Sequence, residues 1–289
     1  MGKADYMIDL HTHSSASDGS DAPAEVVAKA RLAGVTSLAL TDHDTVAGLP
    51  EAAAAAKDAG INFIRGCEIS TTSELGSIHI LGLWLPEESP ALDVYLEEMR
   101  SRRLERNVKM LEKLQDLGLD LRKDDLPPVP GCMGRLHFAD ALVRKGYVKT
   151  TAEAFKEYLG ASGKAFVPHI TPHPIEAVRI LSGLGATTVF AHPMLKPWTL
   201  ADVANMAKRL KENGLAGIEV WHSSHDDAKA RELKKLAKDL DLAVSGGSDY
   251  HGLKKPGIKL GVGAANKPVP EEALASLLAW REKQGLTTA

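Results

Sequence analysis

His11 and His13, two residues apart in IDLHTHSS, follow a short apolar run. Alternation along an extended segment turns residues i and i+2 to one side, so two such imidazoles can reach one cation. An isolated pair of this kind is equally well two exposed loop histidines. Asp18 then adds a carboxylate in SASDG, and the arrangement recurs along the chain: His43 in LALTDHD, Glu68 in FIRGCEIS, His79 in SIHILGL, His192 after TTVFA, and Asp249 with His251 in SGGSDYH. Each lies on or just beyond a run that reads as a strand, where α/β folds place their sites. One such histidine is usually satisfied within a core. Six histidines and three carboxylates at corresponding strand ends are not explained that way. The donors are nitrogen and oxygen without obvious thiolate, which suits Mn, Fe or Zn better than Cu(I) or an iron–sulfur cluster. They exceed what one tetrahedral site needs, so two or three divalent metal ions are expected. A multinuclear centre can generate hydroxide near neutral pH while stabilising phosphoryl oxygens, and the chemistry is therefore read as hydrolysis.

The elements that must position these groups alternate. Strand-like runs at Met7 to Leu10, Ser37 to Leu40 and Asn62 to Ile64 are interleaved with helix-like segments at Pro23 to Ala33 and Leu49 to Ala59, followed by a run at Ile78 to Leu83. Asp21 is the expected N-cap of the first helix, with Pro23 in its opening turn and Gly34 at its exit. The rhythm resumes with helix Ile175 to Leu181, strand Thr187 to Ala191, helix Leu200 to Asn213, strand Gly217 to Val220, helix Asp227 to Leu240, strand Leu242 to Val244 and helix Glu271 to Gln284. Between the halves, residues 90–167 read as helix after helix, so an inserted helical cap is expected there, with the barrel formed by residues 1–89 and 168–289. The first cap helix is long, with Leu92, Leu96, Met99, Leu104, Val108, Leu111, Leu114 and Leu117 as its apolar stripe. A Pro/Gly loop follows from Leu126 to Gly134, then shorter helices near Leu136 to Arg144 and Thr151 to Tyr158.

Composition bounds the partners. Of the 289 residues, 44% are hydrophobic and 25% charged, as in a globular chain with a sizeable core. Aromatic residues at 5% and a net charge of -3 disfavour an aromatic nucleic-acid platform or a general basic footprint, so any phosphate site is local. Two cysteines exclude a disulfide framework. No run approaches the roughly 20 apolar residues of a membrane span, and no secretory apolar core opens the chain. A cytoplasmic protein with no membrane association and no obligate protein partner is expected.

The segments DLHTHSSASDG, LALTDHD, GCEIS, SIHILGL, FAHP and SGGSDYH, in this order, resemble the polymerase and histidinol phosphatase (PHP) family of phosphoesterases, and the likeness spans both barrel halves. The resemblance implies an α/β fold, a distorted (β/α)7 barrel of PHP type with an inserted helical cap, and a trinuclear metal site at its C-terminal face. Carried over by motif, it implies one metal on His11, His13, Glu68 and Asp249, a second on Glu68, His79 and His192, and a third on Asp18, His43 and His251. Asp42 and Asp44 flank His43 and are either its orienting partners or exposed loop acids.

Along the whole chain, SRRLER, GRLHFAD and FVPH make the sequence similar to the PHP subgroup that removes the 3'-phosphate from nucleoside 3',5'-bisphosphates, whose relatives also trim short RNA from its 5' end. The resemblance implies a nucleotide or short RNA substrate, with Arg135 and His137 on a substrate phosphate. An Arg fork beside an imidazole suits that task. Arg103 and Arg106 match basic positions, although Arg100, Arg102 and Lys109 nearby make a solvated helical face an alternative. His169 and His225 also match subgroup positions and are candidates to contact substrate or to donate a proton to the leaving oxygen. His173 and His222 are assigned to surface or loop roles, and Cys67 to packing away from the metals. Manganese is the first metal to test. A phosphatase of another small organic phosphate and a non-catalytic metal-binding PHP module are the competing readings. The second is disfavoured because all nine ligand positions are filled. No GxSxG elbow, GxxxxGK[ST] or GxGxxG occurs, which leaves a serine hydrolase, an NTPase and a dinucleotide enzyme without support.

Overall fold

The computed structural model describes residues 7–126, 133–168 and 171–287. Its seven strands form one sheet in sequence order: β1 (Met7–Asp9), β2 (Val35–Leu40), β3 (Asn62–Ser73), β4 (Gly76–Leu83), β5 (Thr187–Phe190), β6 (Gly217–His222) and β7 (Ala243–Gly247). Runs such as VTSLAL and TTVF are apolar or small throughout rather than alternating, because strands flanked on both faces are buried on both faces. The β1/β2, β2/β3, β5/β6 and β6/β7 pairs are parallel, whereas β4 is antiparallel to both of its neighbours. The run expected to end at Ile64 therefore continues to Ser73 and turns straight back as a hairpin, without a crossover helix.

The sheet closes on itself. Leu10 donates its main-chain N–H to the Gly246 carbonyl (3.2 Å), and Asp249 donates to the carbonyl of His11 (2.9 Å). A Cβ on Gly247 would lie 2.4 Å from the Cβ of His11, so only glycine lets β7 approach β1 this closely. The result is a distorted seven-stranded barrel with helices outside: α1 (Pro23–Leu32), α2 (Leu49–Ala59), α6 (Pro174–Gly183), α7 (Leu200–Lys211), α8 (Asp227–Asp239) and α9 (Glu272–Lys283). α2 stops at Gly60 in the left-handed region (φ 67°), whose N–H closes onto the Ala56 and Lys57 carbonyls. The N-cap of α1 is Ala22 rather than Asp21. The Asp21 carboxylate instead accepts from Lys29 Nζ and the Tyr250 hydroxyl, both at 2.6 Å.

Between β4 and α6 the described chain is helical: α3 (Pro90–Asp116), α4 (Arg135–Arg144), α5 (Thr151–Ala154) and a π-helical turn at Phe155–Leu159. α3 belongs to two cores. Leu92, Tyr95, Leu96 and Met99 pack with barrel residues such as Cys67, Ile80 and Phe190. Met110 and Leu114 pack with Phe138, Leu142 and Leu159 of the helical segment. The single apolar stripe expected for this helix is thus corrected: Leu104, Val108 and Leu117 are exposed, while Arg106 and Asn107 are buried. Among the described residues no helix is long and apolar enough to cross a membrane.

Candidate active site

The strand ends converge. His11 and His13 follow β1, His43 follows β2, Glu68 lies in β3, His192 follows β5, and Asp249 and His251 follow β7. Because β4 runs backwards, its half near the Gly76 end lies at this rim, and His79 sits there opposite Ser70. Asp44, His192 and Asp249 adopt positive φ (52°, 28° and 59°). This is an uncommon conformation for residues with a Cβ, and three of the seven described non-glycine residues that adopt it lie at this rim.

Glu68 is fully buried and is the hub. Its Oε2 faces His11 Nε2 (3.1 Å), His13 Nε2 (3.1 Å) and His43 Nδ1 (3.3 Å), and its Oε1 faces His79 Nδ1 (2.8 Å) and His192 Nε2 (2.9 Å). Asp249 Oδ1 lies 3.6 Å from His11 Nε2 and 3.3 Å from His13 Nε2. On the far side of His13, Asp18 approaches His251 Nε2 (3.2 Å) and His43 Nε2 (3.9 Å). The donor atoms fall into groups within 4.8 Å: His11, His13, Glu68 and Asp249; His13, Asp18, His43 and His251; His43, Glu68 and His79; and His11, Glu219 and His222.

These residues fit divalent cations by the way their rings face. The carbonyl of Asp249 can only accept, so His251 Nδ1 donates to it (2.8 Å), which leaves Nε2, the nitrogen that carries the lone pair of an uncharged imidazole, turned onto an Asp18 oxygen (3.2 Å). His11 repeats this: Nδ1 faces Glu219 (3.0 Å), which leaves Nε2 turned onto Glu68 and onto His13 Nε2, 3.1 Å away. Lone pairs converging on carboxylate oxygens need a cation or protons between them. The rings of His13 and His251 also stack at 4.1 Å, which disfavours charging both with protons. Cys67 is buried, its thiol pushed up by burial, with Sγ 3.4 Å from the Asp42 carbonyl; it packs aside from this donor set.

Without metal, burial lowers the imidazoles and the carboxylates raise them, with opposite winners at different positions. Burial prevails at His43, driven to about 3, and at His192, driven to about 4. At His13, burial is outweighed by the bonds to Asp249 and Glu68, which hold it up at about 9; at His11, by Glu219 and then Glu68. The pH dependence follows. A histidine whose folded value is about 9 contributes stability that is full below its unfolded value of 6.5 and is lost as pH rises toward 9. Metal must displace those protons, so affinity grows over the same window. We expect the melting temperature of metal-free protein to fall from pH 6.5 to 9 while calorimetric Mn2+ affinity rises. A flat or rising metal-free melting temperature would contradict this.

Some of the machinery does not follow from the strand-end motifs. Glu219, in the middle of GIEVWH, is fully buried and held down at about 2: burial raises it, but His11, His222 and His192 prevail. A lone acid inside an otherwise apolar strand was the available signal. His222, expected in a surface or loop role, is instead buried at the end of β6. Ser224 N–H donates to its Nδ1 (3.1 Å), and its Nε2 lies 3.4 Å from Asp249 Oδ2. Lys255 Nζ donates to that same oxygen at 2.6 Å. Asp9 accepts from Ser248 N (2.8 Å), Ser248 Oγ (2.6 Å) and Gly261 N (2.8 Å), which ties β1 to the loop carrying Asp249; burial still drives it up to about 6. Neither acid flanking His43 orients it. Asp42 accepts from Ser14 N (2.7 Å), Ser14 Oγ (2.7 Å) and Ser17 Oγ (2.6 Å), and so shapes the His13–Asp18 loop. Asp44 accepts from Ser70 N (2.7 Å) and from Arg103.

The helical segment overlooks this rim. Arg103 on α3 bridges Asp44 and Ser70 Oγ (3.3 Å), and Arg106 is buried on the same helix rather than lying on a solvated face. Arg135 opens α4, half-buried, with one nitrogen donating to the Leu159 carbonyl (3.3 Å) and its guanidinium 5.8 Å from the Phe155 ring. Burial and then the nearby Arg103 lower it. His137 is buried two residues on; its Nδ1 accepts from Gly134 N–H (3.0 Å), and burial lowers it against the pull of Asp18. Lys254, after His251, pairs with Asp140 of α4. His225 is buried beside His222, donates from Nδ1 to the Val220 carbonyl (2.9 Å), and is driven down to about 4 by burial, a state in which Nε2 accepts rather than donates. His169 lies outside the described residues.

The PHP domain model matches residues 9–113. Over 244 residues the chain is 37% identical to a 5'-3' exoribonuclease of Haemophilus influenzae, covering 84% of this chain and 89% of that protein. Over 250 residues it is 36% identical to a 3',5'-nucleoside bisphosphate phosphatase of Chromobacterium violaceum, covering 84% and 87%. Among solved structures, a metal-dependent phosphoesterase candidate from Bifidobacterium adolescentis superposes with a TM-score of 0.84 at 30% identity, covering 95% of this chain and 96% of that one. With a closed barrel of this topology, a His/Asp/Glu rim, and relatives matched over nearly their whole length, the chain belongs to the PHP family.

Proposed function

We propose that this protein is a metal-dependent phosphoesterase that removes the 3'-phosphate from nucleoside 3',5'-bisphosphates, and that it also trims short 5'-phosphorylated RNA from its 5' end. The observation that carries the reading is the inward-facing set of Nε2 lone pairs on carboxylates, at a rim overlooked by half-buried arginine. His11, His13, Glu68 and Asp249 would hold one cation, and Asp18, His43 and His251, with His13, a third; for the second, Glu68 and His79 gather with His43, and His192 joins through its approach to Glu68 Oε1 (2.9 Å). Bound divalent ions, manganese first, would supply Lewis acidity that acidifies water and neutralises charge on phosphoryl oxygens.

The chain's own residues account for substrate choice. Arg135, with His137, holds the 5'-phosphate, and Arg103 and Arg106 add positive field from α3. Lys255, paired with Asp249, brings an ammonium to the phosphoryl side of the rim. Both activities break the bond between phosphorus and a 3'-oxygen. They differ only in whether the phosphorus carries nothing further or the next nucleotide.

The test is product analysis on Mn-loaded protein with adenosine 3',5'-bisphosphate, a 5'-phosphorylated oligoribonucleotide and its 5'-hydroxyl twin. AMP with phosphate from the first, and mononucleotide from the second alone, is the expected result. No turnover of any of them with metal bound would remove the substrate assignment and direct attention to a panel of small phosphoesters.

A further inference from the structure

We infer that Glu219 is a positioning residue of the metal centre, holding two ligands at once from behind. The inference rests on the reading of His11 and His192 as ligands. Its carboxylate is wholly buried and divides its oxygens between two N–H donors on different elements. Oε1 takes the proton of His11 Nδ1 (3.0 Å), and Oε2 takes the main-chain N–H of His192 (2.7 Å). The first bond fixes the tautomer and orientation of His11 so that Nε2 faces Glu68 and His13. The second holds the turn in which His192 adopts φ 28°, a conformation that needs support from its surroundings and that aims Nε2 at the other oxygen of Glu68. One acid on β6 thereby sets ligands on either side of the hub.

The number of acceptors makes the idea testable. A glutamine has one oxygen and one NH2 group, so Glu219→Gln must either leave one of the two N–H groups facing another donor or turn His11 to the tautomer with its proton on Nε2, which removes the lone pair aimed at the metal. An aspartate keeps the charge and both oxygens but withdraws them by one methylene, so it cannot span both donors. Calorimetric titration of metal-free protein with Mn2+ alone should show affinity about 10- to 100-fold weaker in Glu219→Gln, the range for loss of a partner behind a ligand. Glu219→Asp should also weaken it, which separates positioning from charge, and cooperative melting of both metal-free variants would verify their folding.

Parent-like Mn2+ affinity in both variants would overturn the inference, and if the glutamine chain does not fold, the aspartate titration decides in the same way. His11→Ala distinguishes the two levels of the argument. If it too binds Mn2+ like the parent, the ligand reading itself falls. If it loses metal while the Glu219 variants do not, only the role of Glu219 falls.

Discussion

Glu68→Gln is expected to lower kcat by about 10^3-fold or more and to strip the protein of part of its metal. The carboxylate meets five imidazoles with two oxygens, three rings on Oε2 and two on Oε1, so it joins the two sides of the centre. The amide puts an NH2 group where one set of lone pairs converges and removes the negative charge the cations require. Charge stabilisation by a metal contributes several kcal/mol to a phosphoryl transition state. At 1.36 kcal/mol per decade, about 4 kcal/mol is about 10^3 in rate. The loss belongs in kcat, since Glu68 faces histidines and not the arginines that would bind substrate. Steady-state kinetics with metal content by atomic emission checks it. Retention of the full metal complement with turnover within tenfold of the parent would refute the hub role.

The rim was legible in sequence because its histidines and acids interrupt apolar strand ends at short, recurring spacing. A ring such as His192 after TTVFA has few structural reasons to be there. Its counterpart Glu219 was not legible in the same way. It sits within a strand rather than beyond one, and nothing local says that two donors from separate elements will meet its oxygens. Strand direction was equally hidden: periodicity places SIHILGL in a strand but does not reveal that it runs backwards, although that reversal is what brings His79 to the rim. The stripe on α3 failed for a different reason. A single apolar period presumes one partner, and this helix changes partners midway, from the barrel at Met99 to the helical segment at Met110. Between them Arg106 is buried while Leu104 and Val108 are exposed. Asp44 shows how a local motif misleads. It flanks a candidate ligand in LTDHD, yet its carboxylate reaches across to Arg103 and fastens α3 to the rim.

Arg135→Ala is expected to raise KM for 5'-phosphorylated substrates by about 10- to 150-fold, with little change in kcat. The range is what charged hydrogen bonds of about 1.5 to 3 kcal/mol correspond to. The guanidinium is pinned before substrate arrives, by the Leu159 carbonyl at 3.3 Å and beside the Phe155 ring at 5.8 Å, so little side-chain entropy remains to be lost on binding. It is also held near a second cation: Arg103 acts on it unfavourably, and an anion between the two relieves that repulsion. A phosphate at this place therefore gains from both arginines, whereas a 5'-hydroxyl gains from neither. The effect must then be selective, and the ratio of kcat/KM between 5'-phosphorylated and 5'-hydroxyl oligoribonucleotides should collapse toward unity in the variant. Arg135→Lys, which keeps the charge and loses the fork, should fall between the two. A uniform loss on both substrates would place Arg135 among the residues that merely shape α4, and the 5'-phosphate would have to be held elsewhere.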